Sequence, residues 1–153
     1  MTQEEKDLLL KDLCARLPYG VKAYIKNWSK LDRKYYEGVY RVESIDPFLN
    51  HIISCSERSA VEGIVGYYDY EIKPYLFPLS SMTKEQLFEV QEILGKNEIE
   101  IDDGFLRIVD SDRNVITYLE ILAVLEWFYK NHFDINDLIP KDLAIDATGL
   151  NIY

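Results

Sequence analysis

Residues 8–22, LLLKDLCARLPYGVK, constrain the fold most, because within one short stretch they predict a helix, its end and the start of a strand. Upstream of this stretch, Thr2 and Glu5 have the spacing of a capping box, which satisfies two free backbone amides where a helix begins. Apolar residues then recur at helical intervals up to Pro18, which ends the helix. The strict alternation of apolar and polar residues over 21–27 predicts a half-buried strand.

Helical spacing and strand-like alternation of apolar residues also recur along the rest of the chain. Strands are predicted at 35–46, 49–55 and 68–73, with a hairpin at 99–108 and an ambiguous stretch at 61–68. Helices are predicted at 3–17, between Thr83 and Gly95, and at 115–131 with Asn114 as the cap. We expect Pro74 and Pro78 to leave the sheet, and residues 132–153 to form short turns and an irregular tail.

Consecutive antiparallel strands with the helices set apart predict an α+β fold. We expect an antiparallel sheet of about four to six strands, formed by a meander plus a hairpin, packed with three helices. The length of 153 residues suits a single globular domain over 1–153, and no repeat or linker divides it. With 48% apolar and 29% charged residues, the composition is that of a globular protein rather than a disordered one.

The two cysteines and the lack of a leader-like segment predict that the protein lies in the cytoplasm. Cys14 follows the apolar spacing of the first helix and Cys55 ends a strand pattern, so we expect two buried free thiols in a reducing cytoplasm. A disulfide between them stays open, because the sequence does not give their distance in space. No apolar run is long enough to span a membrane, so a cytoplasmic protein is predicted.

The net charge of −10 is concentrated in the second half of the chain. Residues 81–153 hold 6 lysines and arginines against 15 aspartates and glutamates, a net of −9. A field of this sign repels nucleic acid and attracts basic partners, although acidic surface also serves solubility alone. The charge therefore disfavours a nucleic-acid partner.

Two groups of carboxylates have the composition of cation sites. Asp110, Asp112 and Asn114 have the D-x-D-x-N spacing that opens an EF-hand loop. Val115 and Ile121 stand where that loop needs glycine and glutamate, so a turn followed by a helix cap is the simpler interpretation, and cation binding stays open. A wider acidic group, of a kind that holds magnesium for phosphodiester chemistry, comprises Glu98, Glu100, Asp102, Asp103, Asp110 and Asp112.

Histidine and cysteine do not combine into a catalytic set. His51 and Cys55 are four residues apart in an extended segment, which separates them by roughly 13 Å, too far for proton transfer. His132 follows a helix end, where the helix dipole favours a cation, so we expect a structural residue that is stabilised in its charged form. No residue is assigned as catalytic, cofactor-binding or metal-binding, and no cofactor is predicted.

Aromatic and basic residues mark a possible interaction surface. The segment 26–36 interleaves both kinds, as do sites that follow a phosphate backbone and stack bases. Tyrosines between 67 and 75 have the composition of a protein interface, while core packing is their commoner use. The residues that we predict for this surface are Trp28, Lys30, Arg33, Lys34, Tyr67, Tyr70 and Tyr75.

Three segments carry a resemblance to a known family: 8–22, 72–83, and 131–134 with 138–144. On these segments the chain resembles a family of small uncharacterised proteins found in gut Bacteroidales genomes and their phages and prophages. The resemblance brings no known activity and no site residues. The resemblance, together with the absence of an assembled catalytic set in the sequence, favours a non-enzymatic accessory protein of a phage, prophage or mobile element that acts through protein–protein interaction. Two alternatives stay open: a nucleic-acid-associated protein that uses the loop 26–36, and an enzyme whose site is assembled only in the fold.

Overall fold

The computed structural model describes residues 1–29, 33–46, 52–56, 64–66, 71–95, 98–102, 105–109 and 118–153. Within these ranges the α-helices are α1 (Gln3–Arg16), α2 (Lys84–Leu94) and α3 (Tyr118–Lys130). The strands are β1 (Lys22–Ser29), β2 (Lys34–Asp46), β3 (Ile52–Ser56), β4 (Ile64–Gly66), β5 (Glu71–Leu76), β6 (Glu98–Asp102), β7 (Phe105–Val109) and β8 (Ile145–Asp146). Short 3₁₀ turns lie at Leu17–Tyr19 and Leu79–Ser81.

Six of these strands form one sheet in the order β4-β3-β2-β1-β5-β8, and β6 pairs with β7 in a separate hairpin. Every pairing is antiparallel except the one between β5 and β8. The register of β1 and β2 runs from Lys22 opposite Arg41 to Ser29 opposite Lys34, and these two strands form the middle of the sheet. The predicted α+β fold, with three helices and a mainly antiparallel sheet, is confirmed for the described part of the chain.

The start of α1 and the turn into β1 follow from local chemistry. The Thr2 hydroxyl accepts a hydrogen bond from the Glu5 N–H (3.2 Å), and the Glu5 carboxylate accepts one from the Thr2 N–H (2.6 Å), which confirms the predicted capping box. After the 3₁₀ turn, Gly20 adopts φ +73° and its N–H donates to the Leu17 carbonyl. A side chain is strained at this φ, and its Cβ would lie 3.3 Å from Arg41 Nε. The turn from helix to sheet therefore depends on glycine.

The second capping box and the hairpin are also present. At the start of α2, the Thr83 hydroxyl accepts from the Gln86 N–H (3.2 Å), and the Gln86 side chain accepts from the Thr83 N–H (2.9 Å). In the hairpin, Asp102 lies opposite Phe105, which leaves two residues for the turn, as a two-residue Asp-Gly connection requires. The turn residues 103–104 themselves lie outside the described ranges.

Two clusters of buried apolar side chains form the core. The first packs α1 and the segment before β8 against one face of the sheet, and it comprises Leu9, Leu13, Val21, Ala23, Ile25, Tyr40, Val42, Ile72, Leu76, Leu138, Leu143 and Ala144. The second lies between α2 and α3, and it comprises Leu79, Val90, Leu94, Val124, Phe128 and Phe133. Because side chains alternate along a strand, the residues between the core positions of β1 and β2 belong to the opposite face of the sheet.

The prediction that Cys14 is buried is wrong. Cys14 is an exposed free thiol, so it takes part in no disulfide with Cys55. The buried residues of α1 are Leu9, Asp12, Leu13 and Arg16. They recur at intervals of three and four and share one helix face, whereas Cys14 lies about 100° round the helix from Leu13. The apolar face predicted for α1 is therefore wider than the face that the fold covers.

The predictions for Pro74 and for the end of the chain need correction. Pro74 stays within β5, opposite Ala23 of β1. Since β8 pairs only with Tyr75 and Leu76, one side of β5 is open at Pro74, where the missing N–H of a proline is tolerated. The segment after α3 contains more than turns, because Ile145–Asp146 forms the strand β8 in parallel with β5.

Candidate functional site

The residues of the predicted interaction surface lie in different settings. Arg33 is exposed in the turn before β2, with φ +55°. Trp28 lies opposite Tyr35 in the β1–β2 register, and Lys34 begins β2. Tyr75 is buried, with 8% of its surface exposed, so it belongs to the packing of the sheet. Lys30, Tyr67 and Tyr70 lie outside the described residues.

Most residues of the two predicted acidic groups lie beyond the part of the chain that the structure describes. These are Asp103, Asp110, Asp112 and Asn114, and His51 lies there too. Glu98, Glu100 and Asp102 are on β6, while Cys55 is on β3 opposite Val42. Among the described residues, no three His, Cys, Asp or Glu side chains are placed to hold a metal ion together.

The side chains on the far side of β1 and β2 from the core form a surface that we call the outer face. It comprises Tyr24, Lys26, Tyr35, Glu37, Val39 and Arg41. Tyr35 and Val39 are 51% and 43% exposed. The Tyr24 hydroxyl donates to the Glu37 carboxylate at 2.6 Å, and this bond raises the pKa of Tyr24 to about 12 and lowers the pKa of Glu37. The outer face thus combines exposed apolar and aromatic groups with fixed charges of both signs.

A buried ion pair lies on the core side of α1. Arg16 and Asp12 are fully buried, and Nε and Nη2 of the guanidinium donate to the two carboxylate oxygens at 2.6 and 2.9 Å. Nη2 also donates to the Phe133 carbonyl at 2.7 Å, and the guanidinium carbon lies 5.0 Å from the centre of the Tyr129 ring. The Asn136 amide donates to Asp12 at 2.8 Å. The pair therefore ties α1 to the end of α3 and the segment that follows it.

His132 ends α3 in a backbone conformation that glycine usually occupies. Its φ is +60°. Its N–H donates to the Tyr129 carbonyl at 3.2 Å, and the Phe133 N–H donates to the Phe128 carbonyl at 3.0 Å, which are the two bonds of a Schellman motif. The rings of Phe128 and Phe133 pack edge to face at 6.0 Å, as the apolar contact of that motif. A side chain at this φ carries a conformational cost, which the contacts of the imidazole must offset.

The His132 imidazole is stacked and neutral. Its centre lies 3.9 Å from that of the Tyr153 ring at an interplanar angle of 11°, and the residue is 7% exposed. Burial lowers the pKa of His132 to about 4, and the nearby positive charges of Arg16 and Lys22 contribute. The expectation of a charged histidine at this helix end is therefore wrong, because desolvation and two cations outweigh the helix dipole.

Tyr153 joins His132 to the sheet. The Tyr153 hydroxyl donates to the Tyr75 carbonyl at 2.8 Å and accepts from the Lys22 N–H at 3.3 Å. The Lys22 ammonium group donates to the Ile152 carbonyl. Burial raises the pKa of Tyr153 to about 12, so the phenol stays neutral. Asp12, Arg16, His132 and Asp134 form what we call the buried polar cluster, and these contacts of Tyr153 close it on the side of β1 and β5.

The buried carboxylates of this region are engaged in holding the structure. Asp134 accepts from the N–H groups of Leu138 and Ile139 at 2.9 and 2.8 Å, and Asp12 is held in its ion pair. No described residue forms a hydrogen bond with Nδ1 of His132, so none of the described carboxylates orients that nitrogen as a carboxylate does in a general base. The arrangement is suited to joining distant segments rather than to proton transfer.

The burial of Asp12 and Arg16 is not predicted from the sequence, although a signal is present. The two residues are four apart with opposite charge, and they share a face with Leu9 and Leu13. Charged residues are almost never fully buried unless they are paired, and an i,i+4 pair of opposite charge on an apolar helix face meets that condition. Nothing comparable marks His132, whose partners come from other parts of the chain.

Among the described residues, no helix combines the length and the apolar character needed to cross a membrane. Comparison of the chain with protein-family models, with curated proteins and with solved structures finds no match. The resemblance to small Bacteroidales and phage proteins therefore rests on the sequence segments alone, and a function must be argued from the geometry.

Proposed function

We propose that this protein is a non-enzymatic accessory protein of a phage, prophage or mobile element of gut Bacteroidales, and that it acts in the cytoplasm by binding another protein. The proposed origin rests on the resemblance of the segments 8–22, 72–83, 131–134 and 138–144. The proposed mode of action rests on one observation, the exposure of apolar side chains on the outer face of the sheet.

The outer face has the composition of a protein interface. β1 and β2 are the middle strands of the sheet, and Tyr35 and Val39 of β2 project from them with about half of their surface exposed. Tyrosine and arginine are enriched at interfaces, where apolar contact area is surrounded by a polar rim. Here Lys26, Glu37 and Arg41 supply such a rim. A partner that covers this face would bury the two apolar groups and pair with charges of both signs.

The buried polar cluster supports a non-enzymatic role. Its carboxylates are occupied by an arginine and by backbone N–H groups, and its histidine is stacked beneath Tyr153. A catalytic base needs access to a substrate proton at hydrogen-bonding distance. Reaching His132 would require displacement of Tyr153, which is itself bonded to β1 and β5.

The double variant Tyr35→Ser, Val39→Thr tests this proposal. Tagged wild-type and variant proteins are used to capture proteins from lysates of host and phage, with quantitative mass spectrometry and titration of the captured partner. We expect saturable capture by the wild type and about tenfold weaker capture by the variant, which corresponds to about 1.4 kcal/mol, since tyrosine is enriched among the residues that contribute most to interfaces. Because both side chains are exposed, the melting temperature should change little.

The matched control is Leu122→Ser on α3, where the side chain is similarly exposed. This control should retain capture. Equal capture by the wild type and by the outer-face variant, or no saturable partner for the wild type, would contradict the proposal.

A nucleic-acid-associated role is the second candidate, because the exposed cations Lys26, Arg33 and Arg41 lie on or beside the outer face. Fluorescence anisotropy with single-stranded oligonucleotides at low salt tests it. Binding that is lost in the variant Lys26→Ala, Arg33→Ala would favour this candidate, since phosphate contacts depend on such cations. A flat titration to high micromolar protein would exclude it. The net charge of −10 opposes this candidate.

A further inference from the structure

The solvent side of α2 carries an exposed aromatic ring beside an apolar depression. The depression encloses about 240 Å³ and is lined by Leu79, Ser80, Met82, Thr83, Lys84 and Leu87. Phe88, the residue after Leu87, is 59% exposed, while Val90 and Leu94 fill the second core cluster from another side of the helix. A ring that is this exposed gains little from the core, since apolar stabilisation follows the area removed from water. Phe88 is four residues after Lys84 and directly follows Leu87, which both line the depression, so its ring adds exposed apolar surface to the same helix.

The surroundings of Phe88 are acidic. Glu85 and Glu92 lie three residues before and four residues after Phe88, so they flank the ring by one helical turn on either side. Hydrogen bonds from its own backbone N–H and from the Thr83 side chain lower the pKa of Glu85, which keeps that carboxylate charged. Lys84 is the one basic residue of α2. The part of the sequence that contains α2, residues 81–153, has a net charge of −9.

We propose that the face of α2 around Phe88 is a docking site for a basic amphipathic helix of a partner protein. An apolar side chain of that helix occupies the depression and packs on the Phe88 ring, while its lysines or arginines pair with Glu85 and Glu92. This surface is separate from the outer face of the sheet, so the inference goes beyond the proposed function and can fail independently of it.

Charge and spacing together select this occupant. Amphipathic helices dock through side chains at intervals of three and four residues, which matches the spacing of Glu85, Phe88 and Glu92 along α2. A lysine or arginine between a glutamate and an aromatic face gains from both, because the ring quadrupole also attracts a cation. An acidic or neutral segment would leave these carboxylates unpaired, and an acidic one would be repelled.

The probe is a fluorescein-labelled peptide of leucine and lysine with its leucines at helical spacing, and binding is measured by fluorescence anisotropy at low and at physiological salt. We expect micromolar binding that weakens with salt. Phe88→Ala should weaken it about tenfold, which corresponds to about 1.4 kcal/mol. The variant Glu85→Gln, Glu92→Gln should weaken it to a similar extent and reduce its salt dependence. A peptide with the same leucines and glutamate in place of lysine should not bind.

Two controls locate the site. Leu122→Ala on α3 and the outer-face variant Tyr35→Ser, Val39→Thr should bind the lysine peptide as the wild type does, and circular dichroism melts should show that all variants fold. The inference is overturned by a wild type that does not bind the lysine peptide, by a Phe88→Ala variant that binds it equally well, or by loss of binding in the outer-face variant. The last of these results would show that the peptide binds to the outer face. The first two would leave the proposed function intact.

Discussion

The neutral, buried state of His132 predicts how the stability of this protein depends on pH. An unfolded histidine has its ordinary pKa of 6.5, whereas burial and the cations Arg16 and Lys22 lower the pKa of His132 to about 4 in the fold. Between these two values the unfolded chain binds a proton that the folded chain does not, so acid favours unfolding. The stability that depends on a neutral His132 is fully present above pH 6.5 and is lost as the pH falls to about 4.

The size of this effect follows from the two pKa values. A tenfold change in proton affinity is worth about 1.36 kcal/mol, so the fall from 6.5 to about 4 corresponds to a loss of about 3 kcal/mol at pH 4. Asparagine tolerates a positive φ, so His132→Asn keeps the end of α3 and removes only the titrating ring. At pH 7 this variant should be about 1 kcal/mol less stable than the wild type, because it lacks the stack on Tyr153.

Urea unfolding at pH 7, 6, 5 and 4, followed by far-ultraviolet circular dichroism, measures this difference. We expect the stability curves of the wild type and His132→Asn to cross near pH ~5.5, and the variant to be about 2 kcal/mol more stable at pH 4. The other titrating groups affect both proteins alike and cancel in the comparison. Parallel curves from pH 7 to 4, or an imidazole resonance of His132 that titrates near 6.5 in the folded wild type, would refute the reasoning.

Three further changes test other contacts. Arg16→Met should lower the free energy of unfolding by about 3–5 kcal/mol in urea titrations, because Asp12 then lacks its buried partner. A loss below about 1 kcal/mol would contradict the buried ion pair. Thr83→Ala should cost about 1 kcal/mol in the same assay by removing a cap of α2, and Thr83→Ser should restore most of it. Cys14 should react with a thiol reagent in the native protein, and faster at higher pH because the thiolate is the reactive form and partial burial raises the pKa of this thiol. An unchanged number of reactive thiols in Cys14→Ser would contradict its exposure.

The features that could be predicted from the sequence depend on residues that lie close together in the chain. Each capping box, at Thr2 and at Thr83, needs only a partner three residues ahead, and both form. The alternation over 21–27 predicts β1 because a strand with one covered face must alternate. The order of helices and strands then restricts the fold class to α+β, before any contact between distant segments is known.

The features that could not be predicted join segments that are far apart in the chain. The Phe133 carbonyl that binds Arg16 is 117 residues away, and the Tyr153 hydroxyl that binds the Lys22 N–H is 131 residues away. A helical pattern indicates which residues share a face and leaves open which segment covers that face. For His132 the local argument even has the wrong sign, because the helix dipole acts within its own helix, whereas burial by distant segments is the main cause of the lowered pKa and the contributing cations come from α1 and β1.

The placement of charged and aromatic groups supports the proposal that this protein acts through its surface. In the interior, Arg16, Asp12 and His132 are buried, and they contact groups from α1, α3, the segment after α3 and Tyr153. On the surface, the outer face lies on β1 and β2 and combines both signs of charge. The face of α2 around Phe88 is acidic, and it belongs to a helix that contacts α3 and β6.

Two surfaces of such different chemistry fit different partners, because charge complementarity selects partners more strongly than contact area does. Since they occupy separate elements, a partner on the outer face would leave α2 accessible. We therefore expect an immobilised complex with a captured partner to bind the lysine peptide with unchanged affinity. Competition between the two would mean that both ligands use one surface, and the separation of the two faces would then have to be abandoned.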